Sequence, residues 1–121
     1  MATIAEDFVS FETAKLLKEK GFDEYCPKSY FKMDKTLKES GFSEWEKVNE
    51  IKAPTQSLAM KWLREVHNLW CEISPEGKGL WYMEVYSLTD EEYIPNSNGH
   101  KIKSYEEACE SAIKYCLEHL I

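Results

Sequence analysis

Positive charge is what this chain has least to spare. Against 22 Asp and Glu it carries 15 Lys and Arg, giving a formal net charge of −7 and a pI near 5.0. The deficit is not confined to a tail: residues 1–53 hold nine Lys and eleven acids, and residues 54–121 hold six Lys or Arg and eleven acids. Such a chain gains little counterion release from phosphates, which argues against duplex DNA or RNA and against anionic membranes as partners. Long apolar runs are missing too. No stretch approaches the roughly 20 residues of a membrane span, and the opening MATIAED puts acids where a secretory signal needs bases. Glycine is scarce and never forms a phosphate-cradling loop; Gly77-Lys78-Gly79 reads as a turn. The four cysteines (Cys26, Cys71, Cys109, Cys116) follow neither a disulfide framework nor a zinc spacing, and His100 and His119 have no local ligand partner. No metal and no cofactor is expected. Free thiols and a cytoplasmic location are the expectation, with Cys109 and Cys116 acting as small apolar residues on one helical stripe.

What the chain does have is rings and periodicity. Hydrophobic residues make up 43% and aromatics 13%, too many for disorder, and 121 residues predict one domain spanning 1–121. Ser10 reads as a helix N-cap with Val9 stapling onto Ala14, and Gly21 as the left-handed stop, which predicts a helix over 11–20. Phe11, Ala14, Leu17 and Leu16 form its buried face. Pro54-Thr55 opens a second helix, 55–67, with Leu58, Ala59, Trp62, Leu63 and Val66 on one face of a 3.6-residue period. Asn68 ends it, and the period changes to two. Leu69, Cys71 and Ile73 share one strand face, with Trp70 and Glu72 on the other. After the turn at residues 75–79, Trp81, Met83 and Val85 alternate with Tyr82, Glu84 and Tyr86. The polar stretch 89–103 has room for one short strand, near 93–94 or 100–103. Ser104 and Glu107 form a capping box for a last helix, 104–120, with Tyr105, Ala108, Cys109, Ala112, Ile113, Cys116, Leu117, Leu120 and Ile121 as its apolar stripe and an acidic outer face of Glu106, Glu107, Glu110 and Glu118.

Residues 25–53 are open to two readings. A helix over 28–40 would have Pro27 near its start and Gly41 past its end. A hairpin would pair residues 29–33 with 36–40 around Asp34-Lys35, and it suits the Ser-Tyr-Phe cluster better. The segment 43–53 reads as a loop or a short helical turn. The fold class that follows is α+β: an antiparallel sheet of three to five strands packed by about three helices, with Trp62, Leu63, Val66, Cys109, Ile113, Cys116 and Leu117 in the core.

Three segments, FVSFETAKLLKEKGFDE (8–24), APTQSLAMKWLREVH (53–67) and SYEEACESAIKYCLE (104–118), cover roughly two fifths of the chain. They resemble small uncharacterised proteins of Bacteroidetes genomes, prophages and mobile elements. The resemblance implies a gut-type bacterium or its phage as origin. It implies no activity, so no functional residue is carried over from it.

Nothing in the sequence assembles a nucleophile, a catalytic dyad or a ligand set. His67 follows Glu65 by two positions, which puts them on different helical faces, and a His in a last turn is ordinarily a dipole partner. Surplus strand aromatics are the stronger signal. Trp70, Trp81, Tyr82 and Tyr86, with Tyr93 nearby, cannot all face the helices, and exposed rings on a sheet can dock a partner, bind a ligand or stack bases. From residue 54 the order helix–strand–strand–short strand–helix resembles that of double-stranded RNA-binding domains, but the acidic last helix is the reverse of a phosphate-binding face. The leading expectation is a non-catalytic interaction or accessory module of a mobile element or phage, meeting a protein partner or a second copy of itself. The alternative is a small-ligand binder or enzyme using a pocket beside the strand aromatics, with His67, Glu84 or Tyr86 as its polar groups.

Overall fold

Helix ends follow their caps. In the computed structural model, which describes residues 4–121, the Ser10 hydroxyl accepts the Thr13 N–H at 3.2 Å and α1 runs Phe11–Glu19. Gly21 then takes φ +96°, Gly21 N–H donates to the Lys18 carbonyl at 3.1 Å, and Phe22 N–H donates to the Leu17 carbonyl at 2.9 Å. These two bonds satisfy carbonyls that the helix would otherwise leave open, and they turn Phe22 into the core. A one-turn helix, α2 (Glu44–Val48), starts on Ser43. Thr55 caps α3 (Gln56–His67), which stops at left-handed Asn68 (φ 57°). Ser104 caps α4 (Tyr105–His119) by accepting the Glu107 N–H at 3.1 Å, the first half of the expected capping box.

The chain is α+β, and its strands fall into two antiparallel sheets. The hairpin reading of residues 29–40 holds, with a connection wider than Asp34-Lys35: β1 (Lys28–Phe31) pairs with β2 (Leu37–Glu39) across residues 32–36. It does not neighbour the later strands. Its other edge takes β3 (Glu50–Lys52), which follows the short helical turn and has too little alternation to announce itself, in the order β2-β1-β3. The second sheet is built on β4 (Leu69–Gly77) and β5 (Leu80–Ser87), paired from Leu69↔Ser87 to Gly77↔Leu80 with a register shift between Pro75 and Gly77. Residues 89–103 supply two short strands rather than one. Both β6 (Glu92–Tyr93) and β7 (Gly99–Ile102) lie on the far edge of β5, β6 beside Tyr86 and β7 beside Trp81 and Met83. With that edge filled, the N-terminal hairpin has no place on β5.

Helix α4 lies across β4, β5 and β7 and touches both α1 and α3, so it is the pivot of the core. Its Ala108, Cys109, Ala112, Ile113, Cys116 and Leu117 are fully buried against Met83, Val85, Cys71, Leu63 and Leu17. Trp62 is 6% exposed, with its ring edge-on to Phe22 at 5.5 Å. Val66 does not join this core; it is 54% exposed. The His67 ring packs on Trp62 at 4.7 Å, at the end of the same helix.

One carboxylate of α4 also departs from the expected acidic outer face. Glu110 points inward and accepts from Ser10 N–H (3.1 Å), Ser10 Oγ (2.7 Å), the Thr13 hydroxyl and Gln56 Nε2 (3.3 Å). It thereby ties the N-termini of α1 and α3 to α4, placing a negative charge where the α1 dipole favours one.

Candidate interaction surface

The β4–β5 hairpin has two unlike faces because side chains alternate along a strand. Leu69, Cys71, Ile73, Trp81, Met83 and Val85 turn toward the helices. Trp70, Glu72, Tyr82, Glu84 and Tyr86 turn the other way. Apart from the Arg64 side chain of α3 beside Trp70 at its margin, neither a helix nor the N-terminal sheet packs on that outer face among the described residues.

Cross-strand register sets its chemistry. Trp70 stands opposite Tyr86, Glu72 opposite Glu84, and Ser74 opposite Tyr82. Two carboxylates directly opposed are unfavourable. Here each is engaged by a phenol: the Tyr93 hydroxyl donates to Glu72 Oε2 at 3.1 Å, and the Tyr82 hydroxyl donates to Glu84 Oε1. The bond to Glu84 favours the protonated phenol and, with a smaller contribution from burial, pushes Tyr82 up to about 12. The bond to Glu72 raises Tyr93 in the same way. Tyr86 and Tyr93 meet edge to face at 5.0 Å, and the Arg64 guanidinium sits 6.0 Å from the Trp70 ring centre. At the turn end, the His100 ring lies tilted against Tyr82 at 4.8 Å, while its Nδ1 lies 2.7 Å from Glu76 Oε2. Glu76 also accepts the Lys101 N–H at 2.6 Å, and the His100 bond, then this one, lower its pKa. The result is a band of rings around two glutamates, with Trp70 and Tyr93 41% and 46% exposed at its margin.

Of the residues singled out in the sequence, Trp70, Tyr82 and Tyr86 come together on this face. Trp81 does not; it lies on the helix side, edge-on to Tyr105 at 5.4 Å and half-buried. Glu72 and Glu84 were legible as residues of the outer face, but their pairing was not, because the register shift at Pro75–Gly77 defeats counting outward from the turn. The Glu76–His100 contact spans 24 positions and carries no local signal.

His67, Glu84 and Tyr86 do not converge on one pocket. Glu84 and Tyr86 belong to the outer face, whereas the His67 ring is folded onto Trp62 on the helix side, its Nε2 buried without a hydrogen-bond partner among the described residues. Among the described residues no three His, Cys, Asp or Glu side chains gather as a metal-holding group. All four cysteines are buried and free. The locally basic stretch 28–38 does not form a cationic surface either: Lys28 pairs with Glu39 (3.1 Å), Lys35 with Glu12 (3.9 Å) and Lys38 with Asp34 (3.5 Å), and Lys32 donates to the Val48 carbonyl (2.8 Å). No described helix is long and apolar enough to cross a membrane.

No protein-family model, curated protein or solved structure matches this chain.

Proposed function

We propose that this chain is a non-catalytic interaction module whose contact surface is the outer face of the β4–β7 sheet. One observation carries the reading: Trp70, Tyr82, Tyr86 and Tyr93 surround Glu72 and Glu84 on a sheet face that no other layer covers. Interfaces are enriched in Tyr and Trp because these rings supply area at low conformational cost, with polar tips that stay satisfied when water leaves. The resemblance of residues 8–24, 53–67 and 104–118 to proteins of Bacteroidetes phages and mobile elements supports an accessory role in such an element. A protein partner other than a second copy suits this face better, since two copies apposed through it would bring four glutamates together.

Photo-cross-linking tests this. The phenylalanine analogue p-benzoylphenylalanine is placed at Tyr82 or Tyr86, and as a control at Phe42, exposed in the loop between β2 and α2, in cells of a Bacteroidetes host. A partner band from the first two positions and none from the third is expected. Equal labelling from all three, or none, would overturn the assignment of this face.

A further inference from the structure

Strand β4 is an edge strand, and the hydrogen-bond parity of the sheet fixes which of its backbone groups are free. Leu88 N–H donates to the Asn68 carbonyl and Ile94 N–H donates to the Val85 carbonyl, both at 2.9 Å. The first bond puts the even-numbered residues of β4 in hydrogen bonding with β5. The second shows the odd residues of β5 bonding outward to the 89–103 segment. Cys71 and Ile73 therefore direct N–H and C=O away from β5, and no backbone or side-chain group of the described residues pairs with them. Pro75 has the same parity, so its missing N–H takes nothing from the β4–β5 ladder and limits the open edge to the residues before it.

That edge is not flat solvent-facing surface. A groove of about 310 Å³ is lined by Met60 and Arg64 of α3, residues 70–73 of β4 and Tyr105. Four consecutive strand residues, alternating in facing, can line one groove only if the groove follows the strand edge. A second hollow of about 210 Å³ shares Ser57, Met60 and Tyr105 with it and continues toward Glu6, Asp7 and Glu106. Glu72, Glu6, Asp7 and Glu106 thus flank the path against one cation, Arg64, which already lies 3.7 Å from Glu65.

We infer that this groove takes an extended, Lys- or Arg-bearing segment of a partner protein, which adds as a strand to the free edge of β4. Main-chain bonds to Cys71 and Ile73 would give affinity, alternate apolar side chains would enter between Met60 and Tyr105, and basic side chains would meet the flanking acids. The charge pattern selects against a second copy, because antiparallel β4–β4 pairing would bring like Glu72 residues close together across the new ladder. The inference rests on the reading of the chain as an interaction module and adds the mode and chemistry of the partner.

The test uses the full chain and fluorescein-labelled acetyl-Lys-Val-Lys-Val-Lys-Val-amide in an anisotropy titration, with two controls: the Glu-Val counterpart, and the Lys-Val peptide N-methylated at alternate residues. Binding by the Lys-Val peptide is expected, weakened about tenfold or more by N-methylation, by Ile73→Pro and by Glu72→Lys, with slower amide exchange at Cys71 and Ile73 in the complex. N-methylation spares the protein and the peptide's charge, so the result does not depend on whether Ile73→Pro folds. Equal binding of the N-methylated and unmodified peptides would mean charge attraction alone and would overturn the inference, as would no binding at all. Cross-linking at Tyr82 or Tyr86 that persists while the peptide result fails would remove strand addition and leave the interaction module standing.

Discussion

The two faces of one hairpin are the instructive contrast in this molecule. Cys71, Met83 and Val85 sit one position from Glu72, Glu84 and Tyr86 along the same strands, yet the first set is buried under α4 and the second meets no other layer. The inner face is apolar and its positions are fixed by packing. On the outer face, polar atoms are satisfied locally, each carboxylate by a phenol, so that face needs no cover to be stable. Stability and recognition are thereby assigned to alternate residues.

The largest effect belongs to the inner side. Leu117→Ala, which opens space beneath a fully buried side chain, is expected to lose about 2–5 kcal/mol in urea unfolding; a loss below about 1 kcal/mol would mean that α4 is not the pivot. Next comes Glu110→Ala, which removes the acceptor shared by Ser10, Thr13 and Gln56. About 1–3 kcal/mol is expected from the same measurement, with Glu110→Gln recovering part of it. A negligible change would show that the inward carboxylate is not a structural tie.

A pH series sharpens the contrast further. Burial pushes the thiols of Cys26 and Cys109 up to about 11, and a hydrogen bond shared with Cys116, with burial, keeps Cys71 well above the ordinary range. A raised pKa means that the folded state holds the proton more tightly. The associated stability is fully present below the ordinary thiol value, about 8.5, and is lost as pH rises toward about 11. Urea midpoints should therefore fall more steeply above pH 9 in the wild type than in Cys26→Ala/Cys109→Ala. Parallel curves would contradict this. On the outer face a smaller, purely local change is expected: Glu84→Gln should lower the Tyr82 titration, followed by absorbance at 295 nm, from about 12, and leave the unfolding midpoint nearly unchanged.

Most of this frame was legible in the sequence where local chemistry dictates it. Ser10, Gly21, Thr55, Asn68 and Ser104 announce helix ends by satisfying or releasing specific backbone groups, and all five do so. The alternation about residues 69–73 and 81–86 gave the two faces. What was not legible depends on long-range pairing. The separate sheet of β1–β3 follows from occupancy of the β5 edge, the inward turn of Glu110 from the arrival of α1, and the Glu72–Glu84 pair from a register shift that leaves no trace in composition. The outer-face rings were readable as surplus, and the alternation already set Trp81 apart from Tyr82 and Tyr86, but the contacts of Tyr93 with Tyr86 and Glu72 were not readable.

The division of the hairpin is tested most directly by the unfolding free energy of the double variant Tyr82→Thr/Tyr86→Thr. Threonine keeps strand propensity while removing both rings. A loss of no more than about 1–1.5 kcal/mol is expected, the scale of exposed cross-strand pairs. A loss comparable with that of Leu117→Ala would show that the outer face holds the fold together and is not free to meet a partner.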